Sequence, residues 1–367
     1  MSETRGSHFA QNSESADGVD ALLVNRPAAG KHFRPTLKSE DAQPLPPRPS
    51  DSPTSAAGNA VRWLAAAFGA AGVVLVAQLV VGAVAGVVVG MFLLANNPGA
   101  DAEALIEQLS VPMMLLSQLG SFIIFLPWWL HLKPVAFVPT HARERATGRI
   151  ALALVAIVVL GLGIQMLTSY ALTFLLPLFP DVQAEYTEVM DTPAMNEFTL
   201  FAVVSLAIGA PVTEELAVRG VVFEFCLRAV CPQWAARWRD RRWRKRTGEP
   251  MPDLPPVPSA RFWTANVLQA ALFGLLHLNV AQGLYAFVAG LVCGWIVWKS
   301  GNLLFSMAAH LVVNFSSYFV AQLSGILEFS GVMPAIAISA AMVVFGLGLF
   351  SVSMRGDEGQ RSLRDVA

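Results

Sequence analysis

The chain has 367 residues, 54% of them hydrophobic and only 14% charged, and its mean hydropathy is +0.53. A soluble globular chain carries about a quarter charged residues, so the composition points to a membrane protein. Twenty-five lysines and arginines against 26 acids leave a net charge of -1, which excludes a polybasic nucleic-acid binder. Three cysteines without C-x-x-C spacing exclude a disulfide framework and a cysteine-built zinc site.

Residues 1–60 are polar and rich in Pro, Ser, Ala and Asp, with "AQPLPPRPSDSP" as the strongest stretch. Such a segment buries too little apolar surface to offset chain entropy and reads as a disordered cytoplasmic tail. No apolar run follows the first residues, so it does not read as a secretory signal. Apolar segments then succeed one another. A spanning helix needs about 20 mostly apolar residues, and the candidates are 63–95, 111–132, 150–178, 198–230, 262–278, 284–298, 303–320 and 333–354. The expected fold is all-α: a polytopic membrane helix bundle of about eight transmembrane helices.

Lysine and arginine concentrate on the cytoplasmic side of membrane proteins. The tail before the first segment holds seven of them, the next loop none, the loop 133–149 four, and the loop after the third segment none. The loop 231–261 holds eight, including "RWRDRRWRKR"; the link 279–283 holds none, Lys299 follows the sixth segment, 321–332 holds none, and Arg355, Arg361 and Arg364 close the chain. The cation-free loops carry acids instead, among them Asp101, Asp181, Glu185, Glu188, Asp191 and Glu328. This alternation predicts both termini on the cytoplasmic side of a plasma (inner) membrane. The basic loop, with Trp234, Trp238 and Trp243 among its arginines, reads as positive-inside anchoring or as a surface lying on anionic lipid. Gly82, Gly86 and Gly90, and Gly290 and Gly294, form small-residue faces for close helix approach.

Ionisable groups inside a membrane are costly and are functional candidates by default. The fourth segment contains Glu214, Glu215 and Arg219, and then Glu224 and Arg228. Residues four apart share a helix face, so Glu215 pairs with Arg219 and Glu224 with Arg228. Glu214 lies about 100° around the helix from Glu215 and has no cation four residues away. A carboxylate without a partner in low dielectric holds a proton more readily, which suits general acid–base work. Pro211 is expected to kink or restart the helix just before this pair, freeing carbonyls that line a cavity. His277 and His310 lie in apolar segments five and seven, with Phe273 one turn before the first and Asn314 one turn after the second. Each alone has a plain structural reading: helix–helix hydrogen bonding for the histidines, self-neutralisation for Glu215–Arg219, packing for Phe273. Together, one unpaired Glu, two His and one Asn on three helices predict one shared cavity. At 1.5 Å per residue, His277 lies about 20 Å or more into segment five and His310 about 10 Å into segment seven. Segment five is therefore expected to tilt or to begin below the membrane surface.

The three motifs are E-E-x-x-x-R (Glu214, Glu215, Arg219, then Gly220), F-x-x-x-H (Phe273, His277) and H-x-x-x-N (His310, Asn314). In this order the chain resembles the CPBP family of CAAX-processing and bacteriocin-processing intramembrane proteases, also called the Abi family. "APVTEELAVRG" and "FGLLHLN" are similar to the family's wording beyond the bare motifs, over about residues 198–320. Val218 stands where the family often has an aromatic. The resemblance implies an endopeptidase acting on a membrane-embedded or lipidated peptide or protein. Glu214 and His277 would activate a water, His310 and Asn314 would stabilise the oxyanion, and Glu215, Arg219 and Phe273 would support them. It also leaves a metalloprotease open: Glu214, His277 and His310 would be the ligands, zinc the default ion, with a metal-free glutamate mechanism as the equal alternative. The expected organisation is a tail at 1–60, helices one to three at 61–196, a CPBP-like catalytic core at 197–320, helix eight at 321–355 and a tail at 356–367. The competing readings are a transporter, since intramembrane Glu, Arg and His also mark ion paths, and a non-catalytic membrane scaffold. The transporter lacks a matching cluster in segments one to three.

Overall fold

The computed structural model describes residues 56–96, 99, 101–137, 146–192, 198–248 and 257–355. The two expected tails, save 56–60, lie outside these residues. Among them every regular element is a helix. In chain order they are α1 (Ala56–Asn96), α2 (Ala102–Leu132), α3 (Thr147–Leu175), α4 (Pro180–Met190), the composite α5 (Leu200–Val230), α6 (Pro232–Thr247), α7 (Ser259–Leu275), α8 (Val280–Ser300), α9 (Leu303–Ser317), α10 (Val320–Leu327) and α11 (Val332–Ser353).

All eight apolar segments are helical, but fewer than eight satisfy the requirements of a span. Among the described residues, six helices are long and apolar enough to cross a membrane, or seven if α9 and the bent continuation after it count as one. The reason is length. α7 has 17 residues and α9 has 15, about 26 and 22 Å at the α-helical rise, against a hydrocarbon core of about 30 Å. After α9 the chain turns by 83° into Val320–Ser330. Of the two short helices, α9 carries His310, and His277 lies just past the end of α7.

α1 lies along α2, α3 along α11, and α7 along α8. Val80, Val84, Val87, Val88 and Met91 on α1 are exposed, as are many apolar side chains on the other long helices. Apolar surface of this extent is a liability in water but is neutral against lipid tails; with the spans, it makes the chain an integral membrane protein. The buried core instead sits where α1, α2 and α5 meet, around Trp63, Phe125, Phe223 and Leu227. α6 joins it. Trp234 is buried with its ring edge-on to Phe137 at 5.5 Å, and Trp238 lies edge-on to His131 at 5.6 Å. The tryptophans of the basic segment thus pack on the protein, so the lipid-surface reading of that segment loses its aromatic anchors.

α7 and α8 form a tight hairpin. The α7 end is closed by Leu278, a non-glycine residue at φ 54°, where helices usually place Gly. Asn279 then caps α8, its side-chain oxygen accepting from the Gln282 backbone N–H at 3.0 Å. Within the hairpin, the buried Asn266 and Gln269 donate to the carbonyls of Leu291 and Gly290, each at 2.9 Å. A side chain at Gly294 would collide with Asn266, so the glycine pair of segment six makes room for an amide clasp. At the other end, a Cβ on Gly274 would lie 2.6 Å from the Gly283 carbonyl oxygen. Backbone cannot yield as a side chain can, so Gly274→Ala is expected to destabilise the protein by about 1–3 kcal/mol, the usual cost of overpacking. Thermal aggregation of the purified variant in detergent checks this; an unchanged midpoint would mean that the helix ends splay at no cost. In segment one, a Cβ on Gly82 would meet Ser117, while one on Gly86 or Gly90 would meet no other helix within 4 Å among the described residues.

Candidate active site

The site is built on the irregular helix α5. Five stretches alternate along it: α at Leu200–Ala202, π at Val203–Gly209, α at Ala210–Glu215, π at Leu216–Val222 and α at Phe223–Val230. Wide turns of this kind concentrate at functional positions. Pro211 restarts the α geometry, as its sequence position implies. In the π frame, Ala210 N–H bonds the Ser205 carbonyl, five residues back. The corresponding donor to Leu206 would be residue 211, a proline with no N–H. Asn314 supplies the missing donor, its Nδ2 reaching the Leu206 oxygen at 2.9 Å. The proline and the third motif are therefore one device: a carbonyl left open by Pro211 fixes Asn314.

The paired acids separate as their helical angle requires. Glu215 and Arg219 are fully buried and joined at 2.7 Å. Glu224 and Arg228 pair at the same distance, and the second Glu224 oxygen accepts from the Phe137 backbone N–H at 2.8 Å. Glu214 keeps 22% of its side chain exposed, and its neighbour is His310, with Nε2 to Oε2 at 3.8 Å, beyond hydrogen-bond reach. His310 connects the two acids. Its Nδ1 lies 3.0 Å from Glu215 Oε1; a carboxylate only accepts, so Nδ1 carries the hydrogen and Nε2 turns to the cavity. Glu215 is thus more than the partner of Arg219, a link that spacing along one helix does not reveal.

Phe273 is the hub of the cluster. Arg219 Cζ lies over its ring at 4.4 Å, and the rings of His277 and His310 meet it edge-on at 5.0 and 5.8 Å. This aromatic packs, as expected, but what it packs are the ionised and titratable groups of all three motifs. His277, just past the end of α7, places Nδ1 2.9 Å from the Phe273 carbonyl oxygen. The carbonyl only accepts, so Nδ1 donates and Nε2 is left as an acceptor. The depth mismatch between the histidines resolves through Phe273. It lies 14 residues into α7 and touches a residue seven into α9, so α7 starts about 10 Å farther from the site than α9 does. Val218, buried against Phe273 and Ala286, fills the position before Arg219.

Glu214, Phe273, His277, His310 and Asn314 all line one cavity of about 880 Å³. Gln78, Gln118, Gln165, Gln282 and Tyr285 line it as well. Glutamines inside apolar spans are the sequence signal for this lining, one that the rule about ionisable groups in membranes does not register. The conditional metal ligands do not fit an ion as placed. Among the described residues, no group of three His, Cys, Asp or Glu side chains stands placed to hold a metal ion. The metalloprotease reading finds no support in this arrangement.

Residues 196–316, about a third of the chain, match the family model described as Type II CAAX prenyl endopeptidase Rce1-like. All three motifs fall inside that segment. Neither the curated proteins nor the solved structures gave a match to the chain.

Proposed function

We propose that this integral membrane protein is an intramembrane endopeptidase using a glutamate-activated water, a reading supported by the match of residues 196–316 to the Rce1-like type II CAAX prenyl endopeptidase model. The observation that carries the reading is the convergence of Glu214, His277, His310 and Asn314, from α5, α7 and α9, on one cavity. The substrate is a membrane-associated peptide, embedded or lipidated.

Water attack on an amide needs a base for its proton and donors where negative charge develops. Glu214, accessible from the cavity and, among the described residues, without a lysine or arginine partner, takes a proton from water. His277 Nε2 accepts the water's other hydrogen and orients it. The water oxygen bonds to the scissile carbonyl carbon, and the carbonyl oxygen becomes an oxyanion. With Nδ1–H held by Glu215, His310 donates from Nε2 when that nitrogen also carries a proton. Asn314 donates through the amide hydrogen not used on Leu206. The proton held by Glu214 then passes to the amide nitrogen as the C–N bond breaks, giving an acid and an amine. Glu215 and Arg219 hold His310 in place, and Phe273 spaces the histidines.

Cleavage of a membrane-anchored reporter peptide by purified protein tests the assignment, with variants at Glu214, His277, His310 and Asn314; activity retained in all four would sink it. Asn314→Ala is expected to lower turnover by about tenfold or more, the lower end of oxyanion-donor losses. Unchanged turnover would assign Asn314 to tethering Leu206 alone. The basic loops are read as cytoplasmic, with both termini on that side of a plasma (inner) membrane. Residues 197–320 form the catalytic core on this reading, with helices 61–196 and 321–355 around it.

A further inference from the structure

The cavity belongs to one half of the bundle. From Glu214 it runs past the N-terminal half of α5, the end of α7, the start of α8 and the C-terminal half of α9, to Leu176 and Pro177 beyond α3, Gln183, Tyr186 and Met190 on α4, and Val320 on α10. The opposite helix ends share the other face. Asn59 at the start of α1 donates to the Arg228 carbonyl at the end of α5, and Arg149 at the start of α3 bonds the Arg355 carbonyl beyond α11. That face carries Lys133, Arg149, the arginines of α6, Arg261, Lys299 and Arg355. The face at the cavity end carries Asp101, Asp181, Glu185, Glu188, Asp191 and Glu328 and, among the described residues, no lysine or arginine.

α4 forms the roof of the opening. Val182, Tyr186, Val189 and Met190 are half-buried, while Asp181, Glu185 and Glu188 are exposed, a division that follows the helical period. Tyr186 and Met190 line the cavity, and Gln282 Nε2 approaches Met190 Sδ at 3.9 Å. Burial raises the Tyr186 phenol above its ordinary value. Part of the lining comes from helices outside the family-matched segment: Gln78 of α1, Gln118 of α2 and Gln165 of α3. Primary amides pair with both the N–H and the C=O of a peptide backbone. Among the described residues, no lysine or arginine lines the cavity.

We propose that the substrate enters from the acid-rich face, beneath α4, as an extended polypeptide held by this amide wall. The proposal rests on the protease reading and adds the side and form of the substrate. Since basic loops lie on the cytoplasmic side, the bond that is cut lies at the non-cytoplasmic side of the membrane. The fitting substrate is an internal stretch of a membrane-anchored protein on that side. A C-terminal tail presented from the cytoplasm would meet the closed, basic end of the bundle.

Two measurements on the full chain test it. Gln183→Cys on α4 and Lys245→Cys on α6 are labelled in intact cells with a membrane-impermeant maleimide; the three native cysteines are buried. Gln183→Cys should react without permeabilisation and Lys245→Cys only after it. The reverse pattern would overturn the proposed side. Cells also express single-span reporters that carry a randomised segment on one face or the other. Cleavage should be confined to the non-cytoplasmic segment and be lost with Glu214→Gln. Glu214-dependent cleavage of the cytoplasmic segment alone, or of both equally, would overturn the entry route and leave the protease standing. No Glu214-dependent cleavage of either would remove the protease reading and this proposal with it. On a cleaved peptide, Gln165→Leu should raise KM several-fold at nearly constant kcat; an unchanged KM would remove Gln165 from the amide wall.

Discussion

Replacing Glu214 by glutamine is expected to abolish cleavage while leaving the fold intact. Positioned acid–base groups contribute about 10²–10⁴-fold to rate, and Glu214 serves both the water and the leaving amine, so a loss at the upper end is expected. The structure predicts why the fold should survive. The side chain is 22% exposed and its closest charged-group neighbour, His310 Nε2, is 3.8 Å away. The amide keeps the shape and removes only the charge. Single-turnover cleavage of a detergent-solubilised reporter, measured beside the thermal aggregation midpoint, gives both quantities. A variant with near-normal turnover would sink the assignment of Glu214 as base. One that fails to fold would make Glu214 a structural residue.

The adjacent carboxylate should behave in the opposite way. Glu215→Gln leaves Arg219, fully buried, without its carboxylate and removes the charged acceptor of His310 Nδ1. Breaking a buried ion pair from one side costs about 3–5 kcal/mol, because the remaining charge keeps its desolvation penalty and loses its compensation. The expected result is a large drop in the folded fraction during size-exclusion in detergent, with little activity in what remains. A double variant, Glu215→Gln with Arg219→Met, should recover part of the stability by removing the stranded charge, but not the activity, since His310 stays untethered. Full stability in the single variant would mean that Arg219 is held by the face of Phe273 alone. The contrast between two neighbouring glutamates is the sharpest test of the site: one residue is expected to lose chemistry and keep the fold, the next to lose both.

Much of this arrangement was legible because membranes penalise polar groups so strongly. Glu214, Glu215, Arg219, His277 and His310 stand out within apolar segments, and helical angle alone separates Glu214 from the Glu215–Arg219 pair. The amide wall was less legible. Glutamine carries no charge and raises no alarm in an apolar run, so Gln78, Gln118 and Gln165 become meaningful only when three helices bring them to one cavity. Of the eight expected spans, six meet the length and apolarity of a crossing among the described residues, or seven with α9 and its continuation joined. Hydropathy finds apolar stretches, but whether 15 or 17 residues cross the bilayer depends on where neighbouring helices hold their ends, as for α7 and α9.

The sequence by itself determined the helical class, the membrane setting, the alternation of basic and acidic loops and the identity of the polar cluster. Each follows from local composition or from the fixed 3.6-residue period of one helix, for which no partner is needed. Only the tertiary structure decided the rest: that Asn314 fills the carbonyl left open by Pro211, that His310 bridges to Glu215, that Phe273 carries Arg219 and both histidines, and that the cavity lies on the face away from the basic loops. These are contacts between residues up to about a hundred positions apart, made through π turns and through two helices too short to span. A helix period cannot encode them, because they depend on how far each helix is displaced along its axis against the next.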